Sequence, residues 1–245
     1  MQDHNLLSGH QWQPFTDYGF THKFWTLNTD TLLSSVIATM FIIIMSLYAY
    51  HVLKNKDSIA KFIILKFVDS FKDLLQQTLK SSPLGHLAFI GSLFTFIFCC
   101  NMISCIPFLE EPTKDLNTTL ACGLIAFFYI NIHAILHKGI KEYLAGFLEP
   151  FSIMLPLNII STCTMVISLS FRLFGNIFGG YVITSLYFQV IKSSVLLQFV
   201  GLMSGFNLCF WLIFGFCEGA IQAFVFAMLT LTYLSMEIAT EEETE

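Results

Sequence analysis

Long apolar stretches alternate with short polar ones along the chain. Uncharged apolar runs cover residues 31–53, 87–109 and 116–136. Each reaches the roughly 20 residues that a helix needs to cross a hydrocarbon core of about 30 Å. Two longer runs follow, 151–191 with 41 residues and 193–236 with 44. Both exceed a perpendicular crossing, and neither has a polar turn cluster near its centre, so each is read as one long, tilted helix. Between the first two spans, Ile59, Phe62, Ile63, Phe67, Phe71, Leu74 and Leu75 recur at helical spacing among Lys61, Lys66, Asp69, Lys72, Asp73 and Gln76. That pattern predicts an amphipathic helix over 57–80 lying on the membrane surface; a soluble helix docked on a partner is the alternative.

The expected fold is an all-α integral membrane protein with about five membrane-spanning helices, two of them long and tilted, plus one amphipathic surface helix. A single membrane domain would cover 1–245. It begins with an outward N-terminal segment, 1–30, and a first span, 31–53. The surface helix, 57–80, comes next. A hairpin from 87–109 and 116–136 precedes a hairpin of two long helices, 150–191 and 193–236, and an acidic inward tail, 237–245. Residues 1–30 lack the basic start and short apolar core of a cleavable signal, so 31–53 is expected to stay as an uncleaved helix.

Lysines orient these spans. Lys54, Lys56, Lys61, Lys66, Lys72 and Lys80 lie between the first and second, and Lys138 and Lys141 follow the third. The opposite side holds Lys23, Lys114 and Lys192 beside Glu110, Glu111 and Asp115. The N-terminus therefore faces outward, and the 54–80 segment and the C-terminus face inward.

Composition agrees with a lipid environment. The chain is 55% hydrophobic and only 12% charged, with a mean hydropathy of +0.70. That charged share is about half the usual one in soluble domains, and so much apolar surface needs lipid to cover it. A net charge of −5 and scattered basic residues argue against nucleic acid as a partner. Seven cysteines lie inside apolar runs without a Cys-x-x-Cys pair, which reads as small buried hydrophobes rather than a metal or redox site. No cofactor or metal is expected.

Two lone charges stand out. Arg172 is the sole arginine and sits at the middle of the 151–191 run. A guanidinium holds its charge in any protein setting, and mid-membrane placement costs about 2.5–3.5 kcal/mol on insertion scales. A carboxylate or a polar cavity must compensate; the plainer reading is a structural arginine paired inside a helix bundle. Ser168 and Asn176 lie one helical turn either side of it, and Gly175, Gly179 and Gly180 follow. Small residues there let another helix approach closely, either in ordinary packing or against a partner that slides past. Glu218 is the lone charge of the 193–236 run, with Gln222 one turn on. It forms a permanent salt bridge with Arg172 or it titrates and relays protons. His133, Asn101, Asn131 and Asn158 are polar groups in or near spans, equally readable as satisfied packing residues.

Ser168-Leu-Ser-Phe-Arg172-Leu-Phe-Gly-Asn176 resembles the signature of subunit a of the F-type ATP synthases. Gln222-Ala-Phe-Val-Phe-Ala-Met-Leu-Thr230, running on to Tyr233-Leu-Ser, resembles that family's C-terminal signature. Further similarity lies in Asn101 to Pro107, in Pro112-Thr-Lys-Asp115-Leu-Asn117-Thr-Thr119 and in Leu155-Pro-Leu-Asn158-Ile-Ile160, in family order from about residue 90 onward. The resemblance implies a non-catalytic stator subunit of the Fo sector, in a mitochondrial inner or bacterial plasma membrane. Its partners would be a rotating ring of c subunits, the peripheral-stalk subunit b and other synthase subunits. It implies that Arg172 is a fixed cation between two offset proton half-channels. Gln222, Asn176, Ser168 and Glu218 would serve translocation, with Asn101, Asp115, Asn117, His133, Asn158 and Ser161 as possible channel residues. The pattern is departed from at Tyr181, where many members carry His or an acid, at Gly215, where many carry Glu or His, and at Ser161 and Thr162, where some carry acids. Glu218 would then act from an adjacent turn and Tyr181 would supply a hydroxyl. Two other classes stay open at this point: a polytopic proton-coupled solute carrier using the same Arg/Glu pair, and a structural membrane subunit of a respiratory complex.

Overall fold

Without water to satisfy backbone groups, a chain this apolar closes its hydrogen bonds within helices. The computed structural model describes residues 11–12, 27–54, 59–79, 84–103, 111–148, 151–192, 198, 205 and 211–239. Its elements are a two-residue antiparallel pairing of β1 (Gln11–Trp12) with β2 (Leu27–Asn28), then α1 (Thr29–Lys54), α2 (Ile59–Leu79), α3 (Leu84–Met102), α4 (Leu116–Lys138), α5 (Ile140–Gly146), α6 (Leu155–Lys192) and α7 (Glu218–Ala239). A π-helical stretch, Trp211–Cys217, runs directly into α7. Five helices, α1, α3, α4, α6 and α7, are long and apolar enough to cross a membrane. The all-α integral membrane fold is thus the observed one. Most of residues 1–30, the start of the 193–236 stretch and most of the acidic tail lie outside the described residues.

The core is built by four helices. Leu93 and Ile97 of α3, Cys122 and Ala126 of α4, Leu169, Leu173 and Ile177 of α6, and Ala223 and Phe226 of α7 form one buried cluster. A second cluster docks α2, through Phe71 and Leu75, on Ile90 of α3 and on Ala227 and Leu231 of α7. The other end of α2 leaves Ile59, Phe62 and Ile63 exposed, as a helix half-sunk in a lipid surface would. α1 packs on α3 through Ala38, Cys100 and Ile103, and exposes Met40, Phe41, Ile43, Ile44 and Leu47. In water such a surface would aggregate; in lipid it is the expected exterior.

Two glycines set how closely the core helices approach. A Cβ on Gly219 would lie 2.9 Å from Asn101 Cβ and 3.5 Å from Met102 Cε, so α7 touches α3 there almost backbone to side chain. A Cβ on Gly123 of α4 would collide with Ser170 Oγ of α6. Small residues at such crossings are how membrane helices gain packing contact when lipid removes the hydrophobic drive between them. α6 is 38 residues long, about 57 Å at 1.5 Å per residue. It exceeds the hydrocarbon thickness by so much that tilting is its means of staying in the bilayer.

Polar contacts order the ends of the helices. Asp115 caps α4, its carboxylate accepting from Asn117 N at 3.1 Å. Gly139, at φ +83°, ends α4 in a conformation that suits glycine. Ser235 of α7 donates to the Thr78 carbonyl of α2 at 2.8 Å, and Lys138 Nζ of α4 lies 3.6 Å from Glu237 Oε2 of α7. The C-terminal ends of α2, α4 and α7 therefore share one side, the lysine-rich one expected to face inward. At the opposite end Lys114 Nζ lies 3.4 Å from the centre of the Tyr181 ring, so the far half of α6 meets the α3–α4 connection.

Gly219→Val should overpack the α3–α7 crossing and destabilise the fold by about 1–3 kcal/mol. Gly91→Ala, where nothing lies within 4 Å, should leave stability unchanged or slightly higher. Thermal unfolding midpoints of the two purified variants in detergent check this.

Candidate functional site

α6 and α7 carry the two lone charges into the same region. Arg172 lies near the middle of α6 with its side chain exposed on the helix surface. Leu169, Leu173 and Ile177, to one side of it on the helix, are buried in the bundle, while Arg172 itself stays exposed on the stripe that also carries Ser168 and Asn176. Among the described residues, Arg172 has neither a hydrogen bond nor an ion pair. It makes no salt bridge with Glu218. The permanent pairing of these charges, one of the two alternatives left open by the sequence, is absent.

One turn outward of Arg172, Asn176 Nδ2 donates to Gln222 Oε1 at 2.6 Å. This bond ties α6 to α7 at the depth of the arginine. Gln222 is 2% exposed, yet among the described residues its Nε2 has no acceptor. A buried amide hydrogen left unbonded costs on the order of 1–3 kcal/mol. The asymmetry in Gln222 marks a place where one more acceptor would fit. One turn back from Gln222, at the start of α7, lies half-buried Glu218, at the point where the wide π-helical stretch gives way to the α-helix. Such transitions recur at functional sites because they re-aim side chains without breaking the helix.

A buried polar relay continues outward. Asn101 of α3, 1% exposed, donates from Nδ2 to the Gly219 carbonyl at 2.9 Å and accepts at Oδ1 from Thr113 Oγ1 at 2.8 Å. It links the α3–α4 connection to the start of α7. Beside Thr113, Lys114 covers the face of Tyr181, a cation–π contact. Tyr181, expected to supply a hydroxyl, is thus held by its ring.

Inward of Arg172, the polar groups open into a cavity of about 420 Å³ between α4, α6 and α7. Ser168, one turn from the arginine, and Ser161 line it, together with Asn131, Thr162, Tyr233 and Glu237. The hydroxyl of Tyr143, on α5, donates to Asn131 Oδ1 beside it. Burial raises the Tyr143 phenol above its ordinary value, with the nearby Glu237 charge adding to the effect.

The remaining candidates sit elsewhere. Asp115 and Asn117 form the cap of α4. Asn158 donates to the Phe147 carbonyl at 2.9 Å and fastens the start of α6 to the turn after α5. His133 donates to the Tyr129 carbonyl at 2.9 Å and stands edge-on to His86, whose Nδ1 shares a 2.7 Å hydrogen bond with the Tyr129 hydroxyl. That histidine pair belongs to the α3–α4 contact. The sequence reading missed Thr113, Lys114, Tyr143 and Glu237 as parts of these groupings. Their signal is tertiary, except that Asn131 and Lys138 share a face of α4 at heptad spacing.

Comparison with known proteins places this geometry in a family. The model of the ATP synthase A chain family matches residues 32–235. The chain is 33% identical over 180 residues to ATP synthase subunit a 2 of Acaryochloris marina, covering 73% of this chain and 69% of the relative. It is 30% identical over 206 residues to ATP synthase subunit a of Moorella thermoacetica, covering 82% and 89%. With ATP synthase subunit a of Streptococcus agalactiae the identity is 36% over 186 residues, 70% and 76% of the two chains. The chain belongs to the ATP synthase A chain family. It is a multi-pass protein of an energy-coupling membrane and a proton-translocating stator subunit of an ATP synthase. The solute-carrier and respiratory-complex readings fall away with that membership.

The neutral phenol of Tyr143 is the form the fold favours. The contribution is whole below the ordinary phenol value of about 10 and is lost as pH rises through the higher folded value. Tyr143→Phe should remove this alkaline loss while lowering stability at neutral pH, because Asn131 loses a donor. Thermal midpoints measured from pH 7 to 11 report both effects.

Proposed function

We propose that Arg172 is the fixed cation separating two offset proton half-channels, working against a rotating ring of c subunits packed on the exposed face of α6. The observation that carries this reading is a guanidinium exposed at mid-helix with no ion pair among the described residues. A charge at that depth costs at least about 2.5–3.5 kcal/mol unless compensated. An acid on a neighbouring subunit is the compensation that membership of a synthase offers. Subunit b and the other stator subunits would hold the chain against the torque.

The steps follow from placement. A proton entering from the outer side meets the Lys114–Tyr181 end, the Thr113–Asn101 relay and Glu218. Glu218 hands it to a ring carboxylate on the outer side of Arg172. The neutralised carboxyl then moves away into lipid, and the ring turns almost fully before it returns. On the inner side of Arg172 the cation favours the deprotonated acid, and the proton leaves past Ser168 and Ser161. Arg172 also repels protons that would pass straight between the two paths. Each proton carried down the gradient supplies about 2.3 kcal/mol per 100 mV. No bond is made or broken in this chain; ATP chemistry occurs on other subunits.

Arg172→Ala should abolish ATP-driven proton pumping in membrane vesicles that carry a normal amount of assembled complex. Glu218→Gln should slow pumping and synthesis markedly without abolishing assembly. Pumping at the wild-type rate in Glu218→Gln removes this residue from the outer path and leaves the role of Arg172 standing.

A further inference from the structure

We infer that Glu237 is the proton-exchanging group at the inner mouth of the α4–α6–α7 cavity, passing protons between the cavity and the inner aqueous phase. The inference rests on the reading of Arg172 above and adds to it a residue, a route and a side.

The cavity is internal to this chain. Its volume of about 420 Å³ has room for on the order of ten waters, and its hydroxyl and amide lining offers them partners. It follows α6 from Ser161 to Ser168 and stops one turn short of Arg172. Glu237 is its sole carboxylate, at the end where α4 and α7 reach the lysine-rich side. Half-exposed, the side chain reaches both cavity and bulk water: its relative exposure is 45%, against 16% for its partner Lys138. Groups facing it come from each packed element. α4 brings Lys138 Nζ at 3.6 Å. α5 brings the Tyr143 phenol, whose hydrogen bond to Asn131 closes the wall beside it. α7 itself contributes Tyr233 one turn back along the same lining, and the α6 wall is Ser161, Thr162, Thr164, Met165 and Ser168, all uncharged. Among the described residues of the lining, one acid therefore stands where the cavity meets open solution, and positioned acids of this kind are efficient relays.

The exchange balances. In the synthesis direction a cavity hydronium gives its proton to the Glu237 carboxylate, and the carboxyl then releases it to inner water, restoring the carboxylate. In the pumping direction the same transfers run backward. Lys138, 3.6 Å away, holds the carboxylate at the mouth of the cavity.

The test uses the whole complex in inverted vesicles, whose outer medium bathes Glu237. ATP-driven pumping is measured in weakly buffered medium between pH 6 and 9, with the amount of assembled complex as a control. Glu237→Gln should pump several-fold more slowly, most severely at alkaline pH where free protons are scarce. Glu237→Asp should recover most of the rate, and millimolar imidazole in the medium should restore much of it in Glu237→Gln by carrying protons to the mouth. Lys138→Met should move the pH profile upward, because removing the cation strengthens proton binding. Wild-type pumping by Glu237→Gln across the whole pH range overturns the inference, as does a loss that neither aspartate nor imidazole repairs. Arg172→Ala measured in parallel separates the two claims: if it is inactive while Glu237→Gln is normal, the inference alone fails. If Arg172→Ala pumps, the reading beneath it fails.

Discussion

A positive charge that cannot be discharged, standing mid-helix in an apolar run and without an ion pair among the described residues, is the constraint around which the rest of the molecule is organised. Arg172 is exposed on α6, beside the buried Leu169, Leu173 and Ile177. Those three residues lock the helix into the core, and the guanidinium is thereby held at a fixed place relative to everything else. A cation on a flexible or rotating helix would find an acid of its own; one anchored this way must be met by a partner.

The polar groups around it are arranged asymmetrically. Outward, they are buried and closely bonded: Asn101 joins Thr113 to the Gly219 carbonyl, and Lys114 lies on Tyr181. Inward, they open on a cavity edged by Glu237. Between the two, the Asn176–Gln222 bond joins α6 to α7. Closeness of the helices makes this possible. Gly219 and Gly123 allow α7 to touch α3 and α4 to touch α6, which brings short side chains such as Asn101 within bonding reach of a neighbouring backbone. Buried amides and hydroxyls stay satisfied there because the crossings are tight.

Much of this was legible in the sequence and some of it was not. Lone charges in apolar runs announce themselves, so Arg172 and Glu218 stood out before any fold was known. So did the membrane-crossing class, since an apolar run of sufficient length has few other uses. What one dimension hides is which partner a polar group chooses. Asn158, Asp115 and Asn117, possible channel residues in the sequence, take part in helix ends through the Phe147 carbonyl and the cap of α4. His133 pairs with His86 across α3 and α4. Glu237 read as the beginning of an acidic tail, and only the meeting of the α4 and α7 ends puts it over a cavity and beside Lys138. The π-helical turn before Glu218 carries no proline or charge to announce it.

The most direct measurement is a density map of the intact synthase that resolves the side chain of residue 172. The account predicts the guanidinium turned outward from α6 toward the rotor, within about 4–6 Å of a ring carboxylate, the range in which opposite charges govern protonation. An arginine turned into lipid, or folded back onto an acid of its own chain, would contradict it.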